Sequence, residues 1–476
     1  VRARLARRLS RALPRRPGGR PLMSHALDLA ERALKAAEGD EADVSVNVES
    51  SGFARFAASA VHQPTLVRNE GVTLRVVRDG RVGCATTNRT DGEGLAAAAR
   101  SAAEAADSSP MDPGFAGLQE PAPVPEVDGY DEATAALAPE GQADAAAEAI
   151  AAAAGFGLYG YYTSGVTEVA VASTAGQTVS QAMTDVSVLT LAASDDSSGY
   201  AEATSWRASD IDPAAVAREA AETAARTRGA KELEPQTFRA VLEPYAVSEL
   251  LFFFAFTSLN GLALLEDRSY LSGRIGEKLF HESFTLRDDG LDSRSYPKAF
   301  DLEGVPKQPV LMIEEGVARD VVWDRRTARR AGDGHVSTGH ALAPPAQPFG
   351  PLPLNLSMAG GEAGSAEELA ELVGDGIYVT RLHYLGIVDP REGIITGMTR
   401  DGTFLIEDGK VTSPVVNLRF TTSFPALAAG LLGLTKEVAL VNRSDFYDER
   451  YPFGTLVPAV ATDAFTVVGT GSGPGL

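Results

Sequence analysis

Histidine and cysteine are the residue types most often used for metal binding and nucleophilic chemistry, and this chain has few of them. No two histidines stand four positions apart, the spacing that puts two imidazoles on one face of a helix to hold zinc. His335 and His340 flank a glycine-rich segment, where two imidazoles either bind a metal ion or, as the sequence favours, serve as loop hydrogen-bonding groups. The six histidines are His25, His62, His281, His335, His340 and His383.

The other candidate reactive groups give no sign of covalent catalysis. Cys84 follows a predicted hairpin turn, so a small buried thiol is favoured over a nucleophile. The sequence has no Gly-x-Ser-x-Gly elbow and no phosphate-binding loop of the type Gly-x-x-x-x-Gly-Lys-Ser/Thr. One arginine cluster could contact a carboxylate or a partner, although a solvated loop face is favoured. It consists of Arg325, Arg326, Arg329 and Arg330.

The bulk composition narrows the class of protein. The 476 residues carry a net charge of −21, which argues against a nucleic-acid-binding surface. A single cysteine permits no disulfide within the chain and is typical of a reducing compartment, so we expect a cytoplasmic location. No apolar run reaches the roughly 17–25 residues of a membrane span, so we expect no membrane contact. Residues 1–22 hold eight arginines and no acid, which predicts a disordered basic extension.

Local patterns divide the remaining residues into three units and a linker. Residues 23–108 predict an α/β unit with an antiparallel sheet, and residues 129–235 predict a second unit with the same order of helix, strands and helix. Residues 109–128 are rich in Pro and Gly and predict the linker. Residues 236–476 predict a mostly β domain, barrel- or sandwich-like, that opens with a buried helix. The expected fold class is α+β.

The same patterns predict individual elements. The helix that opens the third unit begins at Pro244 and keeps apolar residues at helical spacing as far as Leu265, so we expect it to be buried nearly all round. The other expected helices are residues 24–38, 94–106, 142–154, 213–228, 366–373 and 425–434. The expected strands are residues 43–49, 53–61, 65–77, 81–86, 167–173, 178–191, 200–206, 238–242 and 455–468. Asp79-Gly80 is typical of a two-residue hairpin turn.

Six blocks of sequence carry a resemblance to a known family. In order they are SYLSGRIGEKL (269–279), AFDLEGVPKQPVLMIEEGVARDVVWDRRTARRAG (299–332), GHVSTGHA (334–341), GDGIYVTRLHYLGIVDPREGIITG (374–397), IEDGKVTSPVVNLRF (406–420) and PFGTLVPAV (452–460). From about residue 43 onward, the chain resembles the TldD/PmbA family of zinc peptidases and their paired subunits. The likeness is most specific from Ala299 to Pro458, whereas the N-terminal half fits mainly in layout.

The family has two branches with different site chemistry. TldD-like members carry His-Glu-x-x-x-His on the helix that opens the C-terminal domain and a Cys near the chain end, and these groups bind the catalytic zinc. PmbA-like members, also called TldE, lack the motif and pair with a TldD-like chain. The pair cleaves flexible or unfolded peptides, including leader segments of peptide natural products. The phrase Ser337-Thr338-Gly339-His340 is closer to the PmbA branch.

The position of the zinc motif is filled by other residues in this chain. Residues 250–257 read LLFFFAFT, which sets Phe252 and Phe253 in place of His-Glu and Thr257 in place of the second His. Pro452-Phe453-Gly454 stands where the near-terminal Cys would be. The resemblance therefore implies a zinc-free PmbA/TldE-like subunit that is inactive alone and holds no cofactor. Its expected partners are a TldD-like zinc subunit and an unfolded peptide, with a homodimer as the alternative assembly.

Two other functions stay open on the sequence alone. One is an independent metallopeptidase with an atypical site, built from His335, His340 and His383. The other is a non-enzymatic peptide-binding or scaffold protein. For any of these, the matching blocks offer candidate contacts to a peptide or a partner, namely Tyr270, Ser272, Thr338, His340 and Arg325.

Overall fold

The structure is a computed structural model and describes residues 25–153, 155–332, 334–444 and 449–471. The basic extension expected at residues 1–22 lies outside the described residues. Within those residues, no helix combines the length and the apolar character needed to cross a membrane. Helices and strands alternate in the first half of the chain and strands dominate the second half, which confirms the α+β class.

Strands from both sides of the predicted linker form one antiparallel sheet. Its order is β3-β2-β1-β4-β5-β6, with β1 paired to β2 on one side and to β4 on the other. The strands are β1 (Glu41–Ala57), β2 (Ala60–Arg78), β3 (Arg81–Thr87), β4 (Gly157–Ser173), β5 (Thr178–Ala193) and β6 (Ser198–Ser205). The two predicted α/β units therefore share a sheet whose central pair, β1 and β4, joins residues more than 100 positions apart.

Alanine-rich helices lie against this sheet. They are α1 (His25–Ala36), α2 (Gly92–Ser108), α3 (Glu132–Ala135), α4 (Pro139–Ala152) and α5 (Pro213–Arg226), with a 3-10 turn at Ala208–Asp210. A Cβ added at Gly83 of β3 would lie 2.2 Å from the carbonyl oxygen of Ala102, and one at Gly199 of β6 would lie 2.1 Å from that of Ala220. Small residues on both partners thus let α2 and α5 approach the edge strands closely.

The described part of the C-terminal region contains two further sheets. One has the order β10-β9-β8-β11-β18-β17, and the other has the order β12-β7-β19-β15-β13-β14 with β16 paired to β19 and β12 also paired to β13. The strands are β7 (Thr237–Leu242), β8 (Leu286–Asp288), β9 (Val310–Glu314), β10 (Val317–Ala318), β11 (Leu356–Met358), β12 (Gly376–Asp389), β13 (Ile394–Glu407), β14 (Lys410–Pro414), β15 (Leu418–Ser423), β16 (Leu431–Leu434), β17 (Ala439–Asn442), β18 (Gly454–Val457) and β19 (Val460–Thr470).

Among the described residues, five helices accompany these two sheets. They are α6 (Pro244–Ser258), α7 (Gly261–Leu265), α8 (Arg325–Ala331), α9 (Ala366–Val373) and α10 (Phe424–Ala429), with a 3-10 segment at Pro344–Phe349. The helical pattern predicted as far as Leu265 is interrupted, because Asn260 leaves helical geometry and its side chain caps α7 by accepting a hydrogen bond from the Ala263 amide. The interruption turns the chain at the end of α6.

Several predicted elements need correction. The helix predicted at residues 425–434 is wrong in its second half, because residues 431–434 pair with β19 as a strand. The strand predicted at residues 53–61 instead belongs to a longer β1 that ends at a hairpin turn, where Ala58 and Ser59 both have positive φ. The strand predicted at residues 167–173 begins ten residues earlier. Tertiary pairing overrides local propensity in each case.

The core of the C-terminal region is built around α6. Phe254 is completely buried, its ring stacks on Phe424 at 4.6 Å, and the rings of Tyr270 and Phe280 lie 6.1 and 6.3 Å away. No residue of α6 is exposed, which fits the prediction of a buried helix. Apart from Pro244 in the first turn, its half-buried side chains form one stripe: Tyr245, Glu249, Phe252, Phe253 and Phe256.

The rotation of α6 can be tested by truncating one ring on each face. We expect Phe254→Ala to lower the free energy of unfolding by about 3–5 kcal/mol, because the variant leaves a cavity among packed rings. Phe252→Ala is the matched control from the half-buried stripe and should cost about half as much or less. Denaturant unfolding of both variants measures the difference. Equal losses would contradict the orientation of the helix.

Candidate functional site

The half-buried stripe on α6 is the candidate functional surface. Contacts at the start of the helix orient α6. Pro244 occupies the first turn, where a missing amide proton costs nothing. The Tyr245 hydroxyl donates to the Glu202 carbonyl oxygen and contacts the Glu219 carboxylate, both at 3.1 Å, which ties α6 to β6 and α5. At the other end of the stripe the Phe256 ring lies 6.1 Å from Phe349. We call Tyr245, Glu249, Phe252, Phe253 and Phe256 the α6 stripe.

The residues at the predicted zinc position are engaged in packing. The ring of Phe252 lies 6.0 Å from Phe453 and 6.2 Å from Phe253. Thr257 is buried, and its hydroxyl donates to the carbonyl oxygens of Phe253 and Phe254 at 3.2 Å. Phenyl rings offer no donor atom to a metal, and this hydroxyl already has partners. In the described ranges, no group of three or more His, Cys, Asp or Glu residues converges in a way that could hold a metal ion.

An ion pair lies one helical turn before Phe252. The Glu249 carboxylate accepts a hydrogen bond from the Arg443 guanidinium at 2.7 Å. The Arg443 amide donates to the Phe453 carbonyl oxygen at 3.0 Å. A backbone hydrogen bond therefore joins the residue that pairs with Glu249 to the residue whose ring contacts Phe252. Glu202 is nearby: it accepts from the Tyr200 hydroxyl at 2.6 Å, and burial raises the pKa of its carboxyl.

A second group of charges lies on the β12–β13 hairpin. Arg381 and Arg400 are direct partners in the strand register. Their Nε atoms lie 3.4 and 3.8 Å from the same carboxylate oxygen of Asp401. The Arg381 guanidinium also lies 3.9 Å above the ring of Tyr200. Burial, then the charges of the two arginines, lowers the pKa of His383, whereas Asp401 and Glu249 act in the opposite direction.

Of the candidates drawn from the block at residues 269–279, Tyr270 packs against the core cluster that contains α6, and Ser272 is half-buried. Tyr270 is half-buried, with its ring 6.1 Å from Phe254 and the Arg274 guanidinium 4.4 Å above it. The Ser272 hydroxyl is buried and has no hydrogen-bond partner among the described residues. Neither residue belongs to the α6 stripe. Their role as peptide or partner contacts stays a prediction.

Thr338 and His340 lie in a buried hydrogen-bonded network. The His340 ring bonds through Nε2 to the Asp288 carboxylate at 2.8 Å and through Nδ1 to the Thr338 hydroxyl at 2.9 Å. Burial, and then the positive charge of Lys307, lowers the pKa of His340. His335 is exposed and packs its ring edge against Trp323 at 4.7 Å. A peptide would reach His340 only if the surrounding segment moved.

Arg325 fastens the linker to the C-terminal region. Its guanidinium donates to the carbonyl oxygens of residues 116, 117 and 118 at 3.0–3.3 Å, and to Gln119. Arg326 pairs with Asp112 at 3.1 Å, while Arg329 and Arg330 are exposed. The solvated face favoured for the arginine cluster is therefore wrong for Arg325, because the Pro-rich segment supplies carbonyl groups that its guanidinium satisfies.

Family descriptions match nearly the whole described chain in order. They are PmbA/TldA metallopeptidase domain 1 over residues 42–106, the central domain over residues 128–228 and the C-terminal domain over residues 235–469. The chain belongs to the PmbA/TldD metallopeptidase family. The expected family is thus confirmed, and the half-buried α6 stripe lies at the start of its C-terminal domain.

Similar proteins include members of this family with known folds or described activities. A metalloprotease TldD homolog of Haemophilus influenzae is 27% identical over 215 residues, 43% of this chain and 42% of that protein. A metalloprotease of Methanothermobacter thermautotrophicus is 30% identical over 191 residues, 38% of this chain and 37% of that one. The crystal structure of TldE from Thermococcus kodakarensis has the same fold, with a TM-score of 0.81, 19% identity and coverage of 93% of this chain and 99% of that one. The chain spans between about 24% and 52% of the length of the curated relatives it matches.

Sequence reasoning assigned a zinc-motif position to α6 of this PmbA/TldD-family chain, which stays a prediction, and it missed the charges around α6. Glu249 was visible as the one acid within the apolar helix, yet its partner Arg443 is almost 200 positions away. Arg381 and His383 alternate with the buried Leu382 along β12, which is a signal that both point away from the core. Arg400 joins them only through the strand register, which local patterns do not specify.

The carboxyl group that precedes α6 gives a pH-dependent prediction for this family member. Burial raises the pKa of Glu243 from 4.5 to about 7, and the Tyr378 hydroxyl, the nearby Glu219 and Glu367 carboxylates and Arg226 also act on it. The folded protein then keeps a proton that the unfolded chain releases between about pH 4.5 and 7, so stability falls as pH rises through this window.

We expect Glu243→Gln to lose less stability between pH 5 and pH 8 than the unmodified chain, by about 1–3 kcal/mol. The amide cannot ionise, so the folded state no longer holds the extra proton. Glu222→Gln changes an exposed acid on α5 and is the matched control, which should follow the unmodified chain. Denaturant unfolding across this pH range is the measurement. Parallel curves for all three proteins would contradict the raised pKa.

Proposed function

We propose that this chain is a zinc-free, TldE-like subunit of a two-chain peptidase and that a TldD-like partner supplies the zinc. The observation that carries the proposal is the packing at the motif position. Phe252 and Phe253 have no atoms that bind a metal, and the Thr257 hydroxyl is held by backbone carbonyl oxygens. A hydrolytic zinc site needs about three protein ligands and a general base. These residues do not fit zinc, so no catalytic step is assigned to them.

The substrate in this proposal is an unfolded or leader peptide in an extended conformation. An extended peptide satisfies its backbone groups by adding to an exposed strand edge, and apolar side chains beside that edge hold it without strict sequence preference. Beyond Val379, β12 no longer pairs with β7. The half-buried rings of the α6 stripe offer apolar contact surface. These features support a role in binding peptide while the partner performs the cleavage.

The alternative of an independent metallopeptidase receives no support from the geometry. Both ring nitrogens of His340 are engaged, His335 packs on Trp323, and His383 faces two arginines whose positive charges oppose a bound cation. A non-enzymatic scaffold would use the same stripe and differs from the proposal only in having no TldD-like partner. Co-purification separates these two functions.

The proposal predicts that activity appears only in the complex. We expect the chain to co-purify with a TldD-like chain from the same genome and the complex to cleave an unstructured peptide. Removing zinc with a chelator should abolish cleavage. The control is the same complex with the glutamate of the partner's zinc motif replaced by glutamine, which should be inactive. Chelator-sensitive cleavage by this chain alone would contradict the proposal.

Introducing two histidines at the predicted zinc-motif position tests whether the missing imidazoles are all that prevents zinc binding. We expect Phe252→His combined with Thr257→His to lower the free energy of unfolding by about 1–3 kcal/mol, because Thr257 is buried, and to create no peptidase activity. Phe252→Leu is the control for loss of the ring. Unfolding and peptide cleavage are both measured. Zinc-dependent cleavage by the double variant would show that the remaining ligands are already in place.

A further inference from the structure

The β12–β13 hairpin brings two arginines into directly opposite positions, which is unfavourable for the pairing of the strands. Arg381 and Arg400 stand directly opposite each other in the register, and like charges in that position destabilise a sheet. Each side chain is only 16% exposed, so water screens the repulsion poorly. A register shift lies next to Arg381, and Asp401 and Gly402 have φ of 56° and 142°. Such bulges re-aim side chains beside functional sites.

The protein supplies these two guanidinium groups with one carboxylate between them. Asp401 accepts a hydrogen bond from the Ser198 hydroxyl at 2.6 Å through one oxygen. Its other oxygen is buried and accepts no hydrogen bond from the described residues, and the two arginine Nε atoms lie 3.4 and 3.8 Å from it. Each guanidinium has five N–H donors. In the described ranges, Asp401 is the only acid paired with either of them.

Neighbouring groups position Arg381 and add further charge. The ring of Tyr200 lies under the Arg381 guanidinium at 3.9 Å. His383 follows two residues later on the same strand face, and the two arginines lower its pKa. Two other acids act on this group electrostatically: Glu249, which is paired with Arg443, acts on His383, and Glu202, whose carboxyl has a raised pKa, interacts with Arg381. The two guanidinium groups thus keep donors for an anion.

We propose that Arg381 and Arg400 bind a carboxylate of the peptide. This inference rests on the proposed peptide-binding function and names a chemical feature of the ligand. Paired guanidinium groups match a carboxylate through parallel N–H···O bonds, a geometry that an ammonium group does not provide. The carboxylate belongs either to the C-terminus of the peptide or to an acidic side chain. Glu249 of the α6 stripe lies near the same group of charges, since it also acts on His383.

Three labelled peptides distinguish the sources of the carboxylate. All are unstructured ten-residue peptides of Gly, Ser and Ala with a fluorophore at the N-terminus. The first has a free C-terminal carboxylate, the second has a C-terminal amide, and the third has the amide and one internal Glu. Fluorescence anisotropy with the full chain in complex with its TldD-like partner, inactivated at the partner's zinc-motif glutamate, measures their dissociation constants.

We expect the first or third peptide to bind on the order of 10-fold more tightly than the second, which corresponds to about 1.4 kcal/mol. Tighter binding of the first alone identifies the C-terminus, and tighter binding of the third identifies an acidic side chain. Arg381→Gln combined with Arg400→Gln should remove the preference and leave the affinity for the plain amide nearly unchanged. Arg419→Gln removes an exposed arginine from neighbouring β15 and should keep the preference.

A lysine variant keeps the test valid if the double glutamine variant does not fold. Arg400→Lys retains the charge but loses the two-pronged donor geometry, so the preference should fall several-fold while thermal unfolding stays close to that of the unmodified chain. Equal affinities of all three peptides for the unmodified complex would overturn the carboxylate site and leave peptide binding intact. Failure of every peptide to bind would overturn the proposed function together with this inference.

Discussion

The rotation of α6 about its own axis is the constraint on which the candidate site depends. A helix has 3.6 residues per turn, so burying Val247, Leu250, Leu251 and Phe254 fixes where every other side chain points. The stacked pair of Phe254 and Phe424 holds that rotation from the core side, and Tyr245 holds it at the first turn. Tyr245 and Glu249 of the α6 stripe lie beside charged groups of β6 and β12 as a consequence. A rotation of one residue, about 100°, would bury Glu249 among phenyl rings.

Local sequence signals predicted the elements whose ends are set by local chemistry. Asp212-Pro213 starts α5 as a cap and first-turn pair, Asp79-Gly80 makes the expected hairpin, and Pro244 begins α6. Each depends on backbone geometry within a few residues, and the residue types at those positions indicate that geometry. The assignment of Phe252, Phe253 and Thr257 to the zinc-motif position rests on their spacing from the family blocks and stays a prediction.

What the sequence did not predict depends on contacts between distant residues. Residues 431–434 have the composition of a continuing helix and become a strand only because β19 offers a partner. The pairing of Arg381 with Arg400 requires the register and a bulge, and the pairing of Glu249 with Arg443 requires the whole domain. Periodicity reports which face of an element is apolar, but it contains no information about which element that face meets.

The first sheet also sets a condition on how the chain can fold. β1 lies between β2 and β4, and β4 begins at Gly157. During translation, β1 to β3 therefore leave the ribosome well before β4. The chain between β3 and β4, which includes residues 109–128, must form a loop when β4 pairs with β1. Until β4 arrives, one side of the 17-residue β1 presents unpaired backbone groups, the kind of edge that joins with other chains. Because β1 pairs with β4, the N-terminal half has a high contact order and its sheet forms only after β4 has been synthesised. The entropy lost in closing such a long loop slows folding.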